Sequence, residues 1–295
     1  VAIADFNGDD NLDIYLTSNM EENKMFLNRG DLKFEDISKT SKVKGRKGPW
    51  KTGVTSVDIN GDGRMDLYVC YSGKVKENSR RNQLFLNMGN NENGVPIFTE
   101  VAGLYGLDSS GYSNQGYFFD YDRDGDLDML LLNHNPNSLP VLGVPKTKVL
   151  LKQDEPSTGL RLYEQRESYF HDITAKTNIN GSGLSYGLGI ALSDFNNDGW
   201  TDFYVSNDYS IPDYLYINDK NGDFKNKLSE SILHTSHFSM GNDSGDINND
   251  GWVDLLTLDM LPEDNKRQKL LQAPDNYNLF ELNLKSGFHY QYMRN

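Results

Sequence analysis

Asp194-Phe-Asn196-Asn-Asp198-Gly199-Trp-Thr-Asp202 places oxygen-bearing side chains at positions 1, 3, 5 and 9 of a short stretch, with a glycine at position 6. Hard cations such as Ca2+ take roughly six to eight oxygen ligands, and short alternating acidic loops supply them. Alternate residues of a tight loop turn toward one centre, the glycine admits the sharp bend, and the last carboxylate closes the cage. Four more stretches have the same spacing. They are Asp5, Asn7, Asp9 and Asp13; Asp58, Asn60, Asp62 and Asp66; Asp120, Asp122, Asp124 and Asp128; and Asp246, Asn248, Asp250 and Asp254. In chain order these are loops 1 to 5, the quoted stretch being loop 4. Their first aspartates are 53, 62, 74 and 52 residues apart. A repeat of that length signals a propeller or a solenoid.

A string of EF-hands is the obvious rival. It needs a bidentate glutamate at position 12 and a helix on each side. Position 12 is Leu16, Val69, Leu131, Val205 and Thr257 in the five stretches. Each loop runs instead into a short apolar or aromatic segment of strand type, such as Leu67-Tyr-Val-Cys-Tyr71 or Phe203-Tyr-Val-Ser206. The EF-hand reading fails.

Four strand-like segments fill each repeat. In the second, Gly53–Val57 leads into the loop and Leu67–Tyr71 leads out, followed by Asn82–Asn87, a Gly/Asn turn and Ile97–Val101. Four strands per unit of about fifty residues make a propeller blade. The expected fold is therefore all-β: a β-propeller of four-stranded antiparallel blades. Blade 1 spans 1–48, blade 2 49–110, blade 3 111–184 with an insertion at 133–159, blade 4 185–235, and blade 5 236–295. The fifth blade is incomplete, with a helical insertion at 261–288 whose two short helices open at Pro262 and Pro274. Gln291–Asn295 reads as the start of that blade's third strand.

Net charge is −14, which argues against nucleic acid or an anionic membrane surface as the main partner. The loops account for the acidity, since sixteen of their predicted side-chain ligands are carboxylates. No run of eighteen apolar residues is present, so direct membrane insertion is not expected. Cys70 lies in a strand and reads as a small buried hydrophobe. The chain opens inside a strand and stops inside a repeat, which reads as a fragment.

These stretches resemble the FG-GAP-like (VCBS) repeat family, the calcium-loop propellers of integrin α subunits, and within it the secreted bacterial branch related to cartilage acidic protein. Trp50–Thr55, His234–Gly241, Asp259–Asp264 and Ser286–Asn295 carry the likeness along with the loops. The resemblance implies a propeller of seven blades, about five of them represented here. It also implies an extracellular or cell-surface setting, up to five Ca2+ ions, and binding of a protein or glycan rather than catalysis. By the family pattern position 7 ligates through its carbonyl, which names Asn11, Arg64, Asp126, Trp200 and Trp252. Loop 1 has Asp10 where glycine is expected and should be the weakest site. Loop 3 has four ligand carboxylates and should be the tightest.

The calcium ions read as structural, because each loop joins two strands of one blade and leaves no open coordination position. Two other functions remain open: a calcium-dependent lyase or hydrolase acting on polysaccharide, and an architectural subunit of a surface assembly. An enzyme would need an acid/base pair or a Lys/Arg/His cluster outside the loops. His134, His171, His234, His237 and His289 are the histidines available, with a structural role as the default. Asn133-His134 and Asp208–Asp213 follow outgoing strands at similar positions and could line a shared face.

Overall fold

The computed structural model describes residues 1–48, 50–137, 142–209, 211–271 and 277–292. Four antiparallel sheets of four strands each run in simple meander order. The first holds β1 (Ala2–Ala4), β2 (Asp13–Leu16), β3 (Lys24–Asn28) and β4 (Phe34–Asp36). The second holds β5 (Lys51–Val57), β6 (Asp66–Tyr71), β7 (Gln83–Asn90) and β8 (Pro96–Glu100). The third holds β9 (Ser113–Phe119), β10 (Asp128–Asn133), β11 (Arg161–Arg166) and β12 (Tyr169–Asp172). The fourth holds β13 (Gly187–Ser193), β14 (Asp202–Asn207), β15 (Tyr214–Asn218) and β16 (Phe224–Asn226). The chain is mostly β, and these sheets are like propeller blades. Every candidate metal loop joins the first strand of a sheet to the second.

Two compact units divide the chain. One comprises 1–119, 125–136 and 162–172; the other comprises 120–124, 137–161 and 173–295. In the first unit the leading strands β1, β5 and β9 adjoin in turn. Gly53 and Gly116 permit this approach, since a Cβ at Gly53 would meet Asn114 O at 2.4 Å and one at Gly116 would meet the Tyr68 ring at 2.7 Å. The second strands β6 and β10 are buried at every residue, which explains why their sequences are continuous apolar runs rather than alternating ones. Their Tyr68, Cys70, Met129 and Leu131 form a core with Val57, Leu84 and Phe170 of neighbouring strands. Cys70 is fully buried, and that burial pushes its thiol well above the ordinary range.

In the second unit β13 lies against β18 (Gly241–Gly245), which among the described residues pairs only with β19 (Asp254–Leu258). Ala191, Tyr204, Leu215 and Leu228 form one core there, and Leu184, Tyr186, Ile211 and Phe288 another. Two expectations need correction. Gln291–Tyr292 (β20) does not start a third strand beside β19; it pairs in parallel with β17 (Thr235–Ser236). The first late helix runs Asn265–Leu271, three residues past Pro262, because the Asp264 carboxylate caps it by accepting the Arg267 N–H at 2.8 Å. The second late helix runs Tyr277–Ser286, and its expected opening at Pro274 lies outside the described residues, as do 138–141 of the insertion and 293–295. The insertion also contains a helix, Val144–Leu150.

Three blades share a buried clasp. The second-strand tyrosine meets the residue just ahead of the third strand: Asn23 Nδ2 donates to Tyr15 Oη (2.8 Å), and Asn82 Nδ2 to Tyr68 Oη (2.9 Å). In the fourth sheet Asp213 replaces the asparagine and accepts from Tyr204 Oη (2.6 Å) and the Asn207 N–H (2.8 Å). Burial pushes the Asp213 carboxyl up to about 7 from its ordinary 3.8. A raised folded-state value contributes stability that is complete below about pH 4 and lost as pH rises through about 7. Asp213→Asn is therefore expected to melt higher than wild type at pH 8 and close to it at pH 5, as measured by calorimetry at both.

Candidate metal loops

Loops 1, 2, 4 and 5 have the same internal wiring. The position-1 carboxylate accepts the backbone N–H of position 6 at 2.8 Å for Asp5, 2.8 Å for Asp58, 2.6 Å for Asp194 and 2.9 Å for Asp246. Its other oxygen accepts the N–H of position 5 at 3.2, 3.0, 2.9 and 3.0 Å in the same order. The position-3 Oδ1 of Asn7, Asn60, Asn196 and Asn248 accepts that same N–H. The position-5 carboxylates of Asp9, Asp62, Asp198 and Asp250 accept the N–H of Asn11, Arg64, Trp200 and Trp252. Backbone donors thus gather the oxygens of positions 1, 3 and 5 onto one side of each loop.

In loop 3 the corresponding carboxylates of Asp120, Asp122 and Asp124 each bring an oxygen within 4.8 Å of the others. That donor set suits a hard divalent cation. Asp126 and Asp128 belong to the first unit, where Asp128 accepts the Gln165 N–H at 2.9 Å.

Two residues per loop take left-handed backbone, although only position 6 was expected to. Position 6 has φ of 66° at Asp10, 83° at Gly63, 97° at Gly125, 87° at Gly199 and 86° at Gly251. Position 4 does the same at Gly8, Gly61, Arg123, Asn197 and Asn249. The glycines and asparagines there were a readable signal. Arg123 is the exception, and its guanidinium stacks 4.8 Å from the Trp200 ring centroid.

Position 9 behaves differently from the rest. Asp13, Asp66, Asp128 and Asp202 are buried and start the second strands. One oxygen accepts the N–H of position 2: Phe6 to Asp13 at 3.0 Å, Ile59 to Asp66 at 3.1 Å and Phe195 to Asp202 at 2.9 Å. The other accepts a third-strand N–H, from Asn28 at 2.8 Å, Asn87 at 2.7 Å and Asn218 at 2.8 Å. Those asparagines, read in the sequence only as strand ends, reach onward. Asn87 Nδ2 donates to Phe6 O of the preceding blade, and Asn218 Nδ2 to Tyr121 O, both at 2.8 Å. The recurring Asn-x-Gly of Asn28–Gly30 and Asn87–Gly89 could have revealed them. Burial pushes the Asp66 and Asp202 carboxyls up to about 6, against two backbone donors that pull each down.

Basic side chains reach two of the position-5 carboxylates: Arg64 pairs with Asp62, and Lys220 Nζ lies 3.2 Å from Asp198. The histidines are dispersed. In the second unit His289 Nε2 donates to Ile232 O (2.8 Å), and His234 and His237 pack edge-on with Tyr292 and Phe238. In the first, His134 is half-buried and His171 packs against Tyr169 at a tilt.

Residues 5–69 and 194–257 match the model of the FG-GAP-like repeat, spans that open on the position-1 aspartates of loops 1 and 4. The chain carries FG-GAP-like repeats. Cartilage acidic protein 1 of Homo sapiens is 29% identical over 147 residues, covering 49% of this chain and 21% of the relative. The Xenopus tropicalis protein is 30% identical over 157 residues, covering 52% and 23%. The chain spans about a fifth of the length of these relatives. Among solved structures, an Agrocybe aegerita lectin that recognises non-reducing terminal N-acetylglucosamine aligns with a TM-score of 0.41 at 17% identity, covering 76% of this chain and 49% of the lectin. A glucose dehydrogenase aligns with a TM-score of 0.34 at 12% identity, covering 87% and 92%.

The two kinds of FG-GAP-like loop carboxylate should separate by mutation. Asp66→Ala strands two buried N–H groups and is expected to cost about 3 kcal/mol. Asp58→Ala exposes its donors to water and should cost about 1 kcal/mol or less. Urea unfolding of both in chelator checks this. Asp10→Gly removes left-handed strain and should stabilise by about 0.5 kcal/mol, read in the same titration.

Proposed function

We propose that this chain is part of a calcium-stabilised β-propeller acting outside the cell as a rigid module that binds a protein or glycan. The observation that carries the reading is the common wiring of the loops. Four turns repeat one hydrogen-bond pattern to within a few tenths of an ångström, and loop 3 converges three carboxylates. Positions 1, 3 and 5 of each loop would hold the ion, and in loops 1, 2, 4 and 5 the position-7 carbonyl and the position-9 carboxylate would complete the set as the family resemblance implies. A cation there offsets the mutual repulsion of the acids and ties the first strand of a blade to the second.

Calcium in this role fixes a scaffold, and the loops at the blade ends are then free to vary for recognition. A module assembled from fixed blades needs no moving part to bind. Among the described residues no helix is long and apolar enough to cross a membrane.

Calcium titration by calorimetry, melting in Ca2+ and in EGTA, and capture of surface proteins in both buffers test the proposal together. Up to five ions should bind, the melting temperature should fall in EGTA, and a partner held in calcium should be released by the chelator. A chain that binds no calcium, or melts identically in both buffers, would overturn the metal reading. Capture of nothing in calcium, with sugar released from added polysaccharide, would replace the binding module with a glycan-active enzyme.

A further inference from the structure

An aromatic residue stands eight positions ahead of the first aspartate in loops 2 to 5: Trp50, Tyr112, Tyr186 and Phe238. In the first unit the protein covers one of these itself. The Arg80 guanidinium lies 4.3 Å from the Tyr112 ring centroid, anchored by hydrogen bonds from Nε to Ser110 O (3.0 Å) and Nη1 to Val75 O (2.6 Å). A cation over an aromatic face is attracted by the ring quadrupole. The repeat aromatic in that unit is thus a working cation seat.

The second unit places a third ring beside its two repeat aromatics. Tyr209, in the turn after β14, packs 4.9 Å from Tyr186 at 65° and 6.4 Å from Phe238 at 80°. Tyr209 is 53% exposed and holds a left-handed φ of 59°. An aromatic residue there costs about 1–2 kcal/mol, and such strain concentrates where side-chain placement serves a function. Among the described residues no lysine or arginine lies over the Tyr209 or Phe238 ring.

Next to Tyr209 is Asp208. Its backbone N–H donates to Tyr186 O at 3.0 Å, which ties the turn to the repeat aromatic. Its Oδ1 accepts the Tyr209 N–H at 2.7 Å, and its Oδ2 has no partner among the described residues although the residue is only 9% exposed. That second oxygen keeps its lone pairs open to a donor from outside the chain.

We propose that Tyr209, Phe238 and Asp208 form a seat for a basic side chain, the guanidinium or ammonium group of a partner protein. This rests on the reading of the chain as a binding module and narrows the partner to one presenting arginine or lysine. Steeply inclined rings surround a point charge, whereas a pyranose ring calls for one open flat face. The carboxylate supplies the counter-charge, and the chain's net charge of −14 stays negative even with up to five Ca2+ bound, so it attracts such a partner from a distance. The seat reproduces between proteins what Arg80 and Tyr112 do within one unit.

Acetyl-tetraarginine amide, and its tetraglutamine counterpart, would be titrated calorimetrically into calcium-saturated protein, so that the loops do not act as the acidic target. Wild type should bind the arginine peptide alone. Tyr209→Gly should lose about tenfold in affinity and melt no lower, because glycine tolerates the left-handed backbone. Asp208→Asn should weaken binding about fivefold and Tyr209→Phe less than about twofold. Equal binding by wild type and Tyr209→Gly, or no binding by wild type, overturns the seat. So does a chitooligosaccharide that perturbs Tyr209 resonances where the arginine peptide does not. If Tyr209→Gly still captures the surface partner that wild type captures, the binding module stands and this site alone falls.

Discussion

The structure depends on the buried aspartate at position 9. Its two oxygens accept two backbone N–H groups from opposite directions, one in the metal loop and one on the third strand. An asparagine could not substitute, because its amide offers only one acceptor oxygen and would set an NH2 against the second donor. Removing the carboxylate from water is unfavourable, and the raised Asp66 and Asp202 values record this. Two charge-assisted hydrogen bonds offset part of that cost. What results is register: the loop, the second strand and the third strand are fixed by one side chain, and a slip of either strand would lose a bond.

From this anchor the order passes between blades. Asn87 receives its position from Asp66 and donates to Phe6 O, so the second blade's third strand holds the first blade's loop. Asn218 repeats the move with Tyr121 O. The backbone N–H groups of positions 5 and 6 in turn hold the position-1 carboxylate. Loops 1, 2, 4 and 5 are therefore shaped largely by their own backbone, and a bound cation would add charge balance to an arrangement already made.

Much of this was legible. The Asp-x-Asx-x-Asp spacing identified all five loops, and the apolar runs after them identified β6, β10 and β14, because local turn chemistry and burial leave direct marks in sequence. What escaped was non-local. Nothing in Gln291-Tyr292 announces a parallel pairing with Thr235-Ser236, more than fifty positions earlier. A short strand carries pattern but no address. Likewise Asp264, not Pro262, starts the late helix, since a capping carboxylate decides the boundary where proline only permits it. The aromatic eight positions before loops 2 to 5 was present in the sequence throughout. Its role was not legible there, because a ring's exposure and its neighbours depend on turns outside its own strand.

The departures among blades follow a physical rule as well. At the clasp, Tyr15 faces Asn23, Tyr68 faces Asn82 and Tyr204 faces Asp213. The equivalent positions of the third blade are Leu130 and Leu160, both buried. Replacing one partner alone would leave a buried hydroxyl or amide without its hydrogen bond, which costs the full desolvation of that group. Replacing both removes the donor, the acceptor and the debt together. Asp213 is the opposite case, a single exchange of amide for carboxylate that keeps the acceptor for the Asn207 N–H but adds a charge to be buried. Paired substitutions in a repeat therefore mark drift that the fold tolerates. A charge buried without a counter-charge marks strain, and the second unit holds it four residues beyond the left-handed Tyr209.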